Sequence, residues 1–95
     1  DDNRTRSRFN IYVGTIPEFG ADVEGFKLSG ASPGSPAEKA GLKGGDIMIK
    51  FGETEVKSIY DYMGAMSNYK PGDNIPVVVI RDGQEVKLTV VPTKK

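Results

Sequence analysis

The chain has 95 residues, which suggests one domain, and its 13 basic and 13 acidic residues give a formal net charge of zero. This balance argues against nucleic acid or an anionic membrane surface as a partner. No apolar run approaches the roughly 20 residues of a membrane span. With no cysteine and no histidine, the chain lacks Ser-His-Asp and Cys-His catalysis, thiol redox chemistry and the usual zinc ligand sets.

The N-terminal third contains two strand patterns. Residues 1–8 are polar and charged, and we expect a flexible lead-in before a single domain over 9–95. FNIYV (9–13) is a short β-type run that ends at Gly14. Residues 23–31 alternate between apolar and polar, which predicts a half-buried strand. Because the chain begins without Met, we expect it to be a piece of a longer protein.

The stretch SPAEKAGLKGGD (35–46) predicts a one-turn helix with both ends specified. Ser35 is a good N-cap, Pro36 suits the first helical position, and Glu38 completes a capping box. Gly41 supplies a left-handed stop. Each of these residues stabilises the local backbone conformation, so we interpret the stretch as structural and not as part of a binding site.

A strand, a second helix and a hairpin follow. IMIKF (47–51) predicts a strand with its odd-numbered residues on one face. Ser58 and Asp61 form an acidic capping box before a helix predicted to reach about Asn68. Two β-type runs, 75–80 and 85–91, flank Asp82-Gly83, a type I′ hairpin signal. The order predicts an α+β fold: a small, partly open β-barrel of five or six strands with two peripheral helices.

These motifs together resemble a PDZ domain. The segment SPGSPAEKAGLKGGDIMIKFGE, the later KPGD (70–73) and the VVVIRDGQ hairpin carry the resemblance, which spans residues 9–92. It is closest to the bacterial, circularly permuted type appended to exported proteases. The segment YVGTIPEFGADVEGFKLSGASPGSPAEKAGL (12–42) is also similar to the segment beside zinc aminopeptidases of the M28 peptidase type, mostly through GTIPEF (14–19). HtrA-type serine proteases and C-terminal processing proteases are the alternative parents.

The resemblance implies a peptide-binding groove between one strand edge and the second helix. A ligand's C-terminal end adds as an extra strand, and backbone amides of the preceding loop hold its carboxylate. The residues that match these positions are Tyr12, Val13, Gly14, Thr15 and Ile16 on the strand side, and Ile59, Met63 and Met66 on the helix. The short helix of 36–40 is implied to lie away from this groove.

Several of these assignments have an alternative. Gly14 could simply end a strand, and the helix residues could serve the core, an interpretation favoured for Met66. Arg8 could reach the ligand carboxylate or belong to a solvated lead-in. Pro17 cannot donate to an incoming strand, so we expect a groove for about three or four ligand residues. Alternatively, IPEFGAD (16–22) folds over the groove.

The expected function is a peptide-binding module of an exported bacterial peptidase, in the periplasm, the cell envelope or secreted. Its expected partners are peptide or protein C-terminal segments and the parent's own catalytic domain. The alternative is a structural brace between domains. We expect no enzyme activity and no cofactor in this chain, with zinc confined to the parent's catalytic domain. The isolated chain is expected to be a monomer.

Overall fold

The structure, a computed structural model, describes residues 11–18 and 23–94. The predicted lead-in, Arg8 and most of the segment proposed to fold over the groove lie outside these residues.

Within the described residues, the chain forms eight antiparallel strands in two sheets. The larger sheet has the order β2-β3-β4-β6-β7, with β5 paired to β4, and β1 pairs with β8. The strands are β1 (Ile11–Tyr12), β2 (Thr15–Pro17), β3 (Phe26–Ala31), β4 (Ile47–Phe51), β5 (Thr54–Glu55), β6 (Ile75–Arg81), β7 (Gln84–Val90) and β8 (Thr93–Lys94). Two helices, α1 (Pro36–Ala40) and α2 (Ile59–Met66), complete the predicted α+β class, which is confirmed.

The hairpin between β6 and β7 fixes the register of one side of the sheet. Asp82 and Gly83 have φ angles of 54° and 79°, as a type I′ turn requires. The turn brings Arg81 opposite Gln84, and the pairing continues without interruption to Ile75 opposite Val90. The sequence signal for this hairpin is therefore confirmed.

Strand β4 departs from the predicted alternation. Met48 and Phe51 are completely buried, whereas Ile47 and Ile49 are only half-buried. The register against β6 shifts between Met48 and Lys50, which marks a β-bulge. An extra residue in one strand turns an even-numbered and an odd-numbered side chain toward the same face. The prediction that residues 47, 49 and 51 share one face was wrong for this reason.

Helix α1 begins and ends as its sequence predicts, with one shift in the capping box. The Glu38 amide donates to Ser35 Oγ at 3.2 Å, and Gly41 ends the helix with φ of 97°. The Glu38 carboxylate accepts from the Gly34 amide rather than from the amide of Ser35. The Ser35 amide is already used, because it donates to the carbonyl of Ser32 at 3.1 Å.

Helix α2 shows the same shift and ends earlier than predicted. Asp61 accepts from the Lys57 amide at 2.9 Å, and Ser58 Oγ accepts from the Tyr60 amide at 3.3 Å. The helix ends at Met66, two residues before the predicted Asn68. It buries Tyr62 and Ala65 in the core.

Candidate functional site

Strand β2 lies at one end of the described six-stranded sheet and pairs with β3. The Gly14 carbonyl accepts from the Ser32 amide at 2.9 Å, and the Glu18 amide donates to the Lys27 carbonyl at 3.0 Å. Backbone N–H and C=O groups point to alternate sides along a strand. The even-numbered residues of this segment therefore direct their backbone groups toward β3.

Thr15 consequently directs its backbone groups away from β3, and the ring nitrogen of Pro17 lies on the same outward side. Thr15 presents both an N–H and a C=O to that side, whereas Pro17 has no N–H and its carbonyl accepts from Ser29 Oγ of β3 at 3.4 Å. An edge of this kind is a template for an additional strand. Because of Pro17, Thr15 is the only one of these two residues that offers both a donor and an acceptor to an added strand.

Ile16 is the predicted site residue that the register places differently. It lies opposite Gly30, so its backbone groups face β3 rather than an incoming strand. Its side chain is 41% exposed and lies on the face of the strand opposite to the side chains of Thr15 and Pro17. The strand side of the site is therefore described by Thr15 and Pro17, not by Thr15 and Ile16.

Helix α2 reaches β2 through a hydrogen bond between side chains. Thr15 Oγ1 and the Tyr62 hydroxyl are 3.1 Å apart. Thr15 lies opposite Ala31, which packs against the core, so its side chain faces the helix. The space between the outward edge of β2 and the exposed side of α2 is here called the β2–α2 cleft.

The three predicted helix residues differ in how much surface they offer. Met63 is 47% exposed, so it can contact a molecule in the cleft. Ile59 and Met66 are half-buried and pack against the core cluster. Both therefore support the domain's core, and only their exposed parts can contribute to the cleft.

Tyr62 is a cleft residue that the sequence reasoning missed. Tyr62 is 5% exposed, so most of its side chain belongs to the core. Burial raises the pKa of Tyr62 to about 12, although the hydrogen bond to Thr15 opposes this shift. The phenol is therefore neutral and acts as a hydrogen-bonding group. Since Thr15 lies 47 residues away along the chain, no local pattern could have indicated this contact.

The loop before β2 contains two backbone amides that make no hydrogen bond within the described residues. Gly14 has φ of 88°, a left-handed conformation that favours glycine. Among residues 11–18 and 23–94, the amides of Val13 and Gly14 donate to no carbonyl or side chain. Val13 buries its side chain in the core, whereas Tyr12 is 40% exposed. Successive N–H groups around a left-handed residue can form an anion-binding concavity.

Helix α1 supports this loop directly. The Ala37 amide donates to the Val13 carbonyl at 2.8 Å. A Cβ atom added to Gly14 would overlap the Cβ of Ser35, the N-cap of α1. The expectation that α1 lies away from the site is therefore wrong for its N-terminus, which packs against the loop.

Two structural observations bear on other kinds of site. The described part of the chain has no group of three or more His, Cys, Asp or Glu side chains placed to hold a metal ion. None of its helices has the length and apolar character needed to cross a membrane.

Residues 25–91 match the sequence profile of the PDZ domain family. The serine endoprotease DegS of Haemophilus influenzae is 34% identical over 72% of this chain and 20% of its own length. A probable periplasmic DegP-like serine endoprotease of Chlamydia trachomatis is 32% identical over 76% of this chain and 14% of its own length. The chain thus spans a fifth or less of these relatives. They give no support to the predicted aminopeptidase resemblance or to a circular permutation.

Among solved structures, the HtrA3 PDZ domain bound to a phage-derived ligand (FGRWV) superposes with a TM-score of 0.73. The alignment covers 90% of this chain and 86% of that domain, at 17% identity, so it shows the shared fold. Together with the profile match over most of the chain, this leads to one conclusion: the chain belongs to the PDZ domain family.

Proposed function

We propose that this domain binds the C-terminal end of a polypeptide, which adds as a strand along β2 in the β2–α2 cleft. The observation that carries the proposal is the outward-facing backbone of Thr15 at a sheet edge beside α2. Strand addition at such an edge gains affinity from main-chain hydrogen bonds and specificity from pockets for alternate side chains.

The ligand's terminal carboxylate is held by the loop before β2. The amides of Val13, Gly14 and Thr15 precede and begin the strand, and the left-handed Gly14 turns them toward one concavity. Hydrogen bonds from amides to a charged carboxylate are each worth about 1.5–3 kcal/mol. This contact gives the cleft its preference for a free chain end over an internal segment.

The helix side of the cleft supplies apolar contact. Met63 offers the largest exposed surface of the three predicted helix residues, with smaller contributions from Ile59 and Met66. Methionine adapts its shape to different partners, which suits a site that accepts varied ligands. Ile59 can neither donate nor accept a hydrogen bond, so the side chain beside it is apolar.

We also propose that the parent is an HtrA-type serine protease of the bacterial periplasm or cell envelope. The DegS and DegP-like relatives support this parent, and the name of the latter includes a periplasmic location. The parent's catalytic residues lie in another part of that protein, and this domain delivers or senses polypeptide ends for it. No aminopeptidase parent is proposed.

Paired peptide pools test the proposal. Fluorescein-labelled hexapeptides, mixed at the first five positions, are prepared with a free C-terminal carboxylate and with an amide. We expect the free acids to bind and the amides to bind at least about tenfold more weakly, since tenfold corresponds to about 1.4 kcal/mol. Met63→Ala weakens binding in fluorescence anisotropy, whereas Lys87→Ala, on exposed β7 at the other end of the sheet, does not.

Equal binding of acids and amides would contradict binding of the terminal carboxylate. The cleft would then bind internal peptide segments. Absence of saturable binding up to millimolar peptide would favour the structural brace instead. Either result is distinguishable from misfolding by the thermal transition of the same sample.

A further inference from the structure

The contact between Thr15 and Tyr62 also limits what the cleft can accept. This inference rests on the proposed function, because it concerns the last side chain of a ligand strand on β2. The two hydroxyl oxygens are 3.1 Å apart, with Thr15 half-buried and Tyr62 almost completely buried. They lie where β2 and α2 approach each other.

Tyr62 cannot easily move out of this position. Its ring stacks on Phe26 with centroids 4.7 Å apart, and it meets Phe51 edge to face at 5.2 Å. Each such aromatic pair stabilises the arrangement beyond the area it buries. Rotating Tyr62 aside would break both ring contacts and the hydrogen bond to Thr15 at once.

The register of strand addition brings the ligand's last residue to this point. If the loop amides hold the carboxylate, the last residue lies opposite Thr15, the first residue of β2 that faces outward. Residues directly opposite each other in an antiparallel pair project their side chains from the same face, about 4.5–5.5 Å apart at Cβ. The last side chain therefore points, like that of Thr15, toward Tyr62.

We propose that Thr15 and Tyr62 together close the deep end of this pocket, so that the domain selects ligands ending in a small side chain, of Ala to Val size, over Leu or Phe. The floor is a pair of hydroxyl groups joined by one hydrogen bond. A larger side chain has to displace Thr15 or the packed Tyr62 ring. A misfit of one methylene in such a pocket changes affinity by roughly 10–200-fold.

The test uses four labelled free-acid pools that differ only in the last residue: Ala, Val, Leu or Phe. For the wild type we expect the Ala and Val pools to bind at least about tenfold more tightly than the Leu and Phe pools. Two substitutions at one position separate size from polarity. Thr15→Ala enlarges the pocket and should improve binding of the Leu pool, whereas the isosteric Thr15→Val should keep the preference for small residues.

Tyr62→Phe provides a second approach from the helix side. It keeps the ring contacts to Phe26 and Phe51 and removes only the hydroxyl, so we expect a folded domain with a weaker discrimination against Leu. A wild type that prefers Leu or Phe, or that binds all four pools equally, overturns the inference while leaving the proposed function intact. Equal binding of amidated pools would instead count against the proposed function.

Discussion

Among single residues, Pro17 lies on the outward-facing side of β2, where any other residue type would offer an N–H to a ligand strand. The sequence predicts a shortened groove from this proline, and the backbone alternation of β2 places its ring nitrogen on the outward edge. The ligand residue third from the end, opposite Pro17, finds no amide there, and the Pro17 carbonyl already accepts from Ser29 Oγ. Pairing is therefore complete only at Thr15.

Replacing Pro17 should increase affinity. Pro17→Ala restores one N–H donor to the outward edge, and a net hydrogen bond contributes about 0.5–1.5 kcal/mol, or roughly 2–12-fold in affinity. Titration calorimetry with a free-acid hexapeptide measures the gain. The control is Lys87→Ala, on exposed β7 at the other end of the sheet. Unchanged affinity in Pro17→Ala would show that the ligand does not pair at this position.

Gly14 is constrained by the fold as well as by the site. A substitution there has to adopt φ of 88° and displace Ser35. Left-handed backbone alone costs a non-glycine residue about 1–2 kcal/mol. Gly14→Val would crowd a bound carboxylate, but for these reasons it reports on folding as well.

We expect Gly14→Ala to lower the melting temperature by several degrees in a calorimetric scan. Ser35→Gly removes the Cβ that a Gly14 side chain would overlap. The double variant should therefore lose less stability than the sum of the losses in the two single variants. A Gly14→Ala variant as stable as the wild type would contradict the packing of this loop on α1.

At the scale of elements, an ion pair joins the turn after α1 to the end of β6. Asp46 is 1% exposed, and it accepts from Arg81 Nε at 2.8 Å and from Arg81 Nη2 at 2.7 Å. The same Nη2 donates to the Gly41 carbonyl at 2.8 Å. Because the two residues are 35 positions apart, the sequence showed Asp46 only as a turn residue. The pair fixes the C-terminal end of α1 against the sheet.

This ion pair predicts a specific dependence of stability on pH. Burial raises the pKa of Asp46, but hydrogen bonds from Arg81 and the Lys43 amide and the charge of Arg81 outweigh it and hold the pKa below its ordinary value of 3.8. A carboxyl whose pKa is lowered by folding contributes stability above its unfolded pKa. That contribution is lost as the pH falls through the lower folded value.

Thermal melting of Asp46→Asn and wild type between pH 7 and pH 2 measures this contribution. We expect Asp46→Asn to be less stable at pH 7 by about 1–3 kcal/mol, because Arg81 loses a charged hydrogen-bond acceptor while its own side chain is partly exposed. The difference should begin to shrink as the pH falls below 3.8, where the unfolded state takes up a proton, and should continue to shrink until the folded carboxyl is protonated at its lower pKa. Asp82→Asn, an exposed neighbour at a position that asparagine tolerates, is the control. A difference independent of pH would contradict the account.

At the scale of the whole molecule, sequence predicted those features that are local. The capped α1, the Asp82-Gly83 hairpin and the α+β class follow from residues a few positions apart, and all three are confirmed. The bulge in β4 was missed because it depends on register against β6. The Thr15–Tyr62 contact was missed because it depends on how α2 packs across the sheet.

The isolated chain should be a monomer. An open sheet edge can pair with another copy, and β2 is the edge at which this would occur. Pro17 removes a donor from that edge, and the charged Glu85 and Lys87 of β7 are exposed at the other end of the sheet. Light scattering coupled to size-exclusion chromatography should give a mass near 10.3 kDa. A dimer that persists on dilution would contradict this expectation.

The most direct test of the central claim is an amide-resolved NMR titration of the domain with a free-acid hexapeptide ending in Val. If the carboxylate lies in the loop before β2, the amide resonances of Val13, Gly14 and Thr15 shift most, accompanied by those of α2 around Met63. The amidated peptide should produce much smaller shifts at the same loop amides. Shifts that instead cluster on α1 and β7, or that are the same for acid and amide, would contradict binding of a chain end in the β2–α2 cleft.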